Sequence, residues 1–445
     1  MRSKVTRWGA LLLVIGASLC FAAPAHAAPP TNPNDPAFTL QWNLQMIGAP
    51  AAWQVATGSG STIAVVDSGV DLNHEDLKDK IVGHVDCIGA DPLTGACKDG
   101  DTAGQDDFGH GTHVAGIAAA ETNNGRGVAG TAPDASILDV KVLDSSGSGT
   151  AEDVAAGIKY AADHGAVVIN LSLGNASQSI FGSSFQDALD YAFGKGAIPV
   201  IAAGNNFVLP SGSANHAIVV GALNRQGVKA TYSNIGNAQW VIMAPGGDFG
   251  ETDSSCESDP ISVLSTYPGT YACLAGTSMA APHVSGAAAV LRSTGLTAQQ
   301  TVDKLLSTTR SLPTTSVDGA GALDLAAAVG LPPTPPPDSS SPEQTTAPAA
   351  AEGETNSGDG SSVASTPSGD LGGPTSTSPP LVNPPNQRAV APAPGRVTAR
   401  STTNDDVSPA VVVAAVLMAG TVGCAAGWFL LRGANLARRT PRLDR

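Results

Sequence analysis

The chain has 445 residues and a formal net charge of −15, with 42% hydrophobic and 14% charged residues. So acidic a balance excludes a nucleic-acid partner and suits a soluble domain. Length alone allows two or three domains, but shifts of composition leave a single folded part.

Residues 1–27 read as a secretory signal peptide. Arg2, Lys4 and Arg7 form a basic head, an apolar run follows, and Ala25-His26-Ala27 supplies an A-x-A cleavage signal. Cys20 follows Leu19, a residue too large for a lipoprotein site. Residues 28–330 then alternate between two kinds of segment. "STIAVVDSG", "SILDVKVLD", "AVVINLSLG", "AIPVIAAG" and "AIVVGAL" are short apolar runs rich in β-branched residues, as in a sheet buried on both faces. Between and after them come helical patterns. "TAEDVAAGIKYAADHG" begins with Thr150 and Asp153 in capping-box spacing, "SSFQDALDYAFGKG" ends on Gly, and "TAQQTVDKLLSTT" pairs Thr297 with Gln300. The alternation predicts an α/β fold, a doubly wound and mostly parallel sheet with helices on both faces, whose functional groups sit at the C-terminal ends of the strands.

From 331 to 408 the chain is rich in Pro, Ser, Thr, Gly and Ala, a composition that cannot bury enough apolar surface to offset its ordering entropy. A disordered stalk is expected. The run 410–431 then carries about 22 residues without a charge, enough to span a bilayer. Arg432, Arg438, Arg439, Arg442 and Arg445 follow it and place the tail 432–445 in the cytoplasm. Arg388, Arg396 and Arg400 weaken that bias, but a cleaved leader has already sent the N-terminal side outward. No sorting motif precedes the span, so the helix is expected to stay as a single-pass anchor in the cell membrane, with the folded part outside. Of six cysteines, Cys20 leaves with the leader and Cys424 lies in the span. The remaining four allow three pairings, and sequence proximity favours Cys87–Cys97 and Cys256–Cys273 in an oxidising compartment.

Three stretches carry chemistry. "VVDSGVD" delivers Asp67 to the end of the first strand, with Asp71 beyond the Gly69 turn; "DDFGHGTHVAGIAAAE" opens a helix with His110 between two glycines; "GTSMAAPHVSG" crowds small residues around Ser278 at another helix start. Each alone reads as a turn, cap or packing residue. Together they supply an orienting acid, a base and a nucleophile with space cleared at each. His113, one turn from His110, is expected to pack, and His74, His164, His216 and His283 show no zinc spacing.

The order Asp…His…Ser within these motifs resembles the subtilisin family of serine proteases across roughly residues 33–329. That resemblance implies a subtilisin-like fold and an endopeptidase acting on polypeptides, with Asp67, His110 and Ser278 as triad and Asn205 as oxyanion donor. It also implies substrate-cleft edges at Gly147, Ser148, Gly149 and at Ser172, Leu173, Gly174. Ala202, Ala203 and Gly204 would wall the S1 pocket. The loop "NFVLPSGSANH" completes that pocket and carries no obvious charge at its base, which suits an apolar P1 residue. Among subtilases the arm "TNPNDPAF" and the segment "ETNNGRGVAG" are most similar to the calcium-stabilised, thermitase-like branch. The likeness implies one Ca²⁺ held by Asp35, Asp76 and Asn124 side chains and by Glu121, Arg126 and Val128 carbonyls, a set of oxygens suited to a hard cation. The run "KDGDTAGQDD" offers Asp99, Asp101 or Asp106 to a second ion without defining a site. Between Ala28 and Asp67 there is no room for a large folding pro-domain. Leader, protease, Pro-rich stalk and span together resemble the mycosins, which implies secretion-system partners. The competing class is a catalytically idle scaffold on the same fold, against which the intact Asp67, His110, Ser278 and Asn205 argue.

Overall fold

The computed structural model describes residues 30–91, 94–173, 178–205, 214–235, 238–248, 261–312, 321–337 and 396–398, the side chains of 178–182 and 396–398 apart. The expected leader, nearly all of the stalk, the span and the tail lie outside the described residues, as do Gly174, Cys256 and the loop 206–213. The chain divides into two units, 1–400 and 401–445, and all described residues belong to the first. Among the described residues no helix is long and apolar enough to cross a membrane.

An N-terminal arm carries the short helices α1 (Trp42–Met46) and α2 (Ala49–Ala52). It is followed by β1 (Thr62–Asp67), β2 (Ile81–Asp86), α3 (His110–Ala119), β3 (Ser136–Lys141), β4 (Ser148–Thr150), α4 (Ala151–Asp163) and β5 (Val168–Leu171). Next come α5 (Gln178–Gly194), β6 (Ile198–Ala202), β7 (Ile218–Leu223), β8 (Trp240–Pro245), the hairpin of β9 (Val263–Tyr267) and β10 (Thr270–Leu274), and α6 (Thr277–Ser293). The described chain closes with α7 (Ala298–Ser307), α8 (Leu325–Ala328) and β11 (Arg396–Thr398), which pairs in parallel with β4.

Seven strands form one all-parallel sheet in the order β2-β3-β1-β5-β6-β7-β8. Successive side chains of a strand point to opposite faces, and both faces here are apolar. Ile63 and Val65 of β1 join a core with α3 and α6, whereas Ala64 and Val66 join one with α4 and α5. The direction of winding reverses between β1 and β5, where open α/β sheets form a crevice. Both expected capping boxes are present: Thr150 with Asp153, and Thr297 with Gln300. Each satisfies two backbone groups left over at a helix start, and loss of such a cap costs about 0.5–2 kcal/mol.

Long-range bonds tie the arm to the far end of the sequence. Trp42 Nε1 donates to Ser262 O at 3.0 Å, Asn43 Nδ2 meets His283 Nε2 at 2.8 Å, and Ser61 Oγ donates to Ala289 O at 2.9 Å. Cys87 and Cys97 are disulfide-bonded as expected. Cys273 is disulfide-bonded too, while Cys256 is not among the described residues.

Candidate active site

Asp67 is the last residue of β1 and His110 the first of α3; the two side chains are buried together. Their meeting requires backbone to approach backbone. A Cβ on Gly111 would lie 2.1 Å from Gly69 O, and Gly69 itself has φ +102°, a conformation other residues rarely adopt. His110 Nδ1 lies 2.7 Å from Asp67 Oδ1. A carboxylate only accepts, so Nδ1 holds the proton and Nε2 is left as the basic nitrogen. Burial pulls the imidazole's pKa down, but the charge and hydrogen bond of Asp67 and the charge of Asp106 outweigh it, and the net direction is up. Ser68 N donates to the same Asp67 oxygen at 2.8 Å, while Oδ2 is buried without a partner among the described residues.

Ser278 lies in the first turn of α6, which packs against α3. Pro282 sits four residues on and has no N–H, so the Ser278 carbonyl loses its helical partner. Ser172 Oγ supplies one instead at 2.8 Å, and Ser278 Oγ donates to Ser172 O at 3.2 Å. Asn170 Nδ2 donates to Ser172 Oγ, and Ser285 Oγ to Asn170 Oδ1. The hydroxyl therefore donates to the carbonyl just beyond β5 in this structure rather than to His110 Nε2, the bond a nucleophile makes to its base. Such bonds are often formed only with substrate present.

Asn205 follows β6. Its Oδ1 accepts from Thr277 N and Thr277 Oγ1, both at 2.9 Å, which turns Nδ2 away from that turn. Thr277 Oγ1 also accepts from Gly204 N at 3.0 Å. Ala202 and Ala203 are buried in opposite cores and Leu173 is fully buried. Gly147 is buried against Phe108, whose ring would meet a Gly147 Cβ at 2.7 Å, and β4 after it is half-buried.

The residues expected to bind a cation also converge. Asp35 and Asp76 are buried and face the 121–128 loop. Asn123 N and Asn124 N donate to Asp35, while Asn124 Nδ2, Val128 N and Tyr271 Oη donate to Asp76. Burial, partly offset by those donors and reinforced by the charge of Asp76, pushes the Asp35 carboxyl up to about 6; burial raises Asp76 as well. Two neighbouring buried carboxylates favour a cation between them, but Asn124 turns its NH₂ toward Asp76 while its Oδ1 accepts from Arg126 N, so the oxygen expected as a ligand faces away and the amide would have to turn to supply it. No group of three or more His, Cys, Asp or Glu suited to a metal occurs among the described residues. Asp106, the third option for a second ion, spends its carboxylate on five internal donors.

His113 packs as expected: it is fully buried, Nε2 meets Ala272 O at 3.0 Å, and burial drives its pKa down to about 3. His283 is likewise buried and lowered to about 4. Three supporting residues escaped the reading of the sequence, Thr277, Asn170 and Ser285, and Asp106 was read only as an option for a second ion. Asp106 had a legible signal, an acid just before a helix start; Asn170 and Ser285 had none.

A doubly wound parallel sheet with a buried acid-histidine pair and a helix-borne serine near its crevice is the arrangement of a serine peptidase built on an α/β sheet. Residues 58–330 match the Subtilase family. Thermitase of Thermoactinomyces vulgaris is 46% identical over 288 residues, covering 62% of this chain and 93% of that protein. Subtilisin Savinase of Lederbergia lenta is 38% identical over 298 residues, covering 65% and 98%. A solved protease structure from Pseudoalteromonas arctica superposes with a TM-score of 0.56 at 35% identity, covering 67% of this chain and 98% of the other. The chain belongs to the subtilase family and is a subtilisin-like serine peptidase.

Proposed function

We propose that the chain is a membrane-anchored endopeptidase that cuts polypeptides through an acyl-enzyme formed on Ser278. The observation that carries this reading is the 2.7 Å contact between His110 Nδ1 and the buried Asp67, with a serine in the first turn of the helix packed on α3. Ser278 Oγ attacks the scissile carbonyl carbon as His110 Nε2 takes its proton. The negative oxygen is met by Asn205 Nδ2 and by Ser278 N. The tetrahedral species collapses, the C–N bond breaks, and His110 returns the proton to the leaving amine. Water then repeats the sequence and releases the acid. Asp67 stays ionised and stabilises the imidazolium. Gly147–Gly149 and Ser172–Gly174 flank the substrate as strand edges, which gives affinity through main-chain bonds with little demand on sequence. Ala202–Gly204 wall S1, and an apolar P1 side chain suits them. The leader, the stalk and the uncharged run 410–431 support an outward-facing catalytic part on one membrane helix, and the same layout supports service to a secretion system.

One experiment separates the parts of this reading. In a bacterial host expressing the full chain, a fluorophosphonate probe should label it at Ser278, and the Ser278→Ala chain should stay unlabelled. The labelled band should remain in the membrane pellet after alkaline carbonate. An unlabelled, folded wild type would sink the peptidase reading; a labelled band in the supernatant would sink only the anchor.

Ca²⁺ would be held by Asp35, Asp76, Asn124 and the carbonyls of Glu121, Arg126 and Val128, and its chemistry there is charge neutralisation rather than catalysis. A ligand at a hundredfold its Kd stabilises by about 2.7 kcal/mol, so chelation should lower the Tm of a folded part this large by roughly 4–5 °C. Asp76→Asn should melt at the same temperature with and without chelator. A wild type whose Tm ignores both chelator and added calcium would remove the ion from this site.

A further inference from the structure

Asp106 lies four residues before His110 and is 6% exposed. Its Oδ1 accepts from Ser68 Oγ at 2.9 Å, Phe108 N at 3.0 Å and Gly109 N at 2.8 Å. Its Oδ2 accepts from Thr112 N at 3.0 Å and Thr112 Oγ1 at 2.5 Å. These donors belong to two different limbs of the site. Ser68 follows Asp67 at the end of β1, and Gly109 and Thr112 bracket His110 at the start of α3. Gly111 N donates to Ser68 Oγ at 2.9 Å, so serine and carboxylate close a ring between the limbs. Lys141 Nζ donates to Ser68 O and to Asp107 Oδ1, both at 2.6 Å, and fixes the same serine from β3.

We infer that Asp106 is a positioning residue for the Asp67–His110 pair: one buried carboxylate that locks the strand end bearing the acid to the helix start bearing the base. A helix cap alone needs no bond to Ser68, and a strand lock alone needs none to Thr112. Asp106 makes both, and it places a second negative charge beside the imidazole. The inference rests on the peptidase reading above.

The elements packed around His110 carry several charged and titratable groups, Tyr267 of β9 beside Gly109 among them. β1 and the turn after it supply Asp67 and Asp71, the loop before α3 supplies Asp106 and Asp107, and β3 supplies Asp139 and Lys141. His113 lies on α3 itself and His283 on α6. Of these, Asp67 and Asp106 act on the imidazole by charge and raise it against burial. Asp139 is fully buried; burial first and the charge of Asp106 next hold it well above the usual carboxylate range, against the opposing pull of Lys141 and the Val70 N–H.

The test is the pH profile of kcat/KM on a chromogenic peptide, per site titrated with a fluorophosphonate, for the full chain and two variants. Asp106→Asn keeps an acceptor oxygen but loses the charge. It should move the acid limb down by about half a pH unit and lower kcat several-fold to about tenfold, with KM nearly unchanged. Ser68→Ala breaks the lock but keeps the charge, and it should lower kcat similarly with the acid limb in place. A carboxylate that merely caps α3 would change Tm and the titrated fraction, and would leave kcat per site and the acid limb alone in both variants. That result overturns the inference. Should Asp106→Asn fail to fold, an unchanged kcat per site in Ser68→Ala overturns it by itself. An inactive, unlabelled wild type overturns the peptidase reading and this inference with it.

Discussion

Asp67→Asn is expected to lower kcat/KM by about 10⁴-fold, the order of loss established for such acids in serine proteases generally. The structure specifies how the loss arises. Ser68 N and His110 Nδ1 both donate to Asp67 Oδ1. An asparagine can satisfy both with its carbonyl oxygen, whereas the flipped amide would set its NH₂ against Ser68 N. The imidazole therefore keeps its tautomer and loses its counter-charge. Burial, now opposed chiefly by Asp106, should carry the imidazole's pKa down, because burial is the largest influence and acts in that direction. Two readouts follow from one profile of kcat/KM against pH. The plateau should fall by the stated factor, and the acid limb should move to lower pH. A fallen plateau with an unmoved limb would mean the tautomer, not the charge, had been lost.

Asn205→Leu should lower kcat by about 10²–10³-fold, the magnitude found for a single oxyanion donor in relatives of this protein. KM should stay within about threefold, because the donor meets negative charge that exists only in the transition state. The expectation rests on the way the amide is held. With Oδ1 fixed by Thr277 N and Thr277 Oγ1, Nδ2 has one direction left. Leucine keeps the bulk, removes the donor and takes away the acceptor of Thr277 N and of the Thr277 hydroxyl, which keeps only its bond from Gly204 N. Steady-state kinetics with a peptide amide decide the matter. A variant in which KM rises and kcat holds would make Asn205 a substrate-binding residue.

The sequence showed the site's reacting groups more plainly than their supports. Asp67, His110 and Ser278 announce themselves because space must be cleared around each, and clearing space leaves runs of Gly, Ala, Ser and Thr. β1, β3, β5, β6 and β7 were legible as apolar runs, since strands buried on both faces have no polar side to blur them. β2 was not. It is the sheet's edge, largely half-exposed, and it carries Gly83 and His84. β8, the opposite edge, ends in proline and follows a polar loop. The β9–β10 hairpin alternates around Ser, Thr and Tyr whose hydroxyls have partners far away in sequence: Ser265 and Thr266 donate to His113 O and Thr112 O. Ser172 shows the limit most clearly. It was placed on the substrate cleft's edge, yet its hydroxyl serves the carbonyl that Pro282 leaves free. No local pattern joins residues 172 and 282; only the fold does.

The bonds between the N-terminal arm and α6 have a consequence in time rather than energy. Asn43 meets His283 across 240 positions of sequence, and Ser61 meets Ala289 across 228. At about 5–20 residues per second of synthesis, the arm waits roughly 10–50 s for partners that do not yet exist. Contacts so distant also make for slow closure once the chain is complete. The segment made first is thus among the last to be locked. For that interval Trp42, which ends in the core and donates to Ser262 O, is apolar surface without its partner, whereas Trp53 meets Thr131 O much sooner.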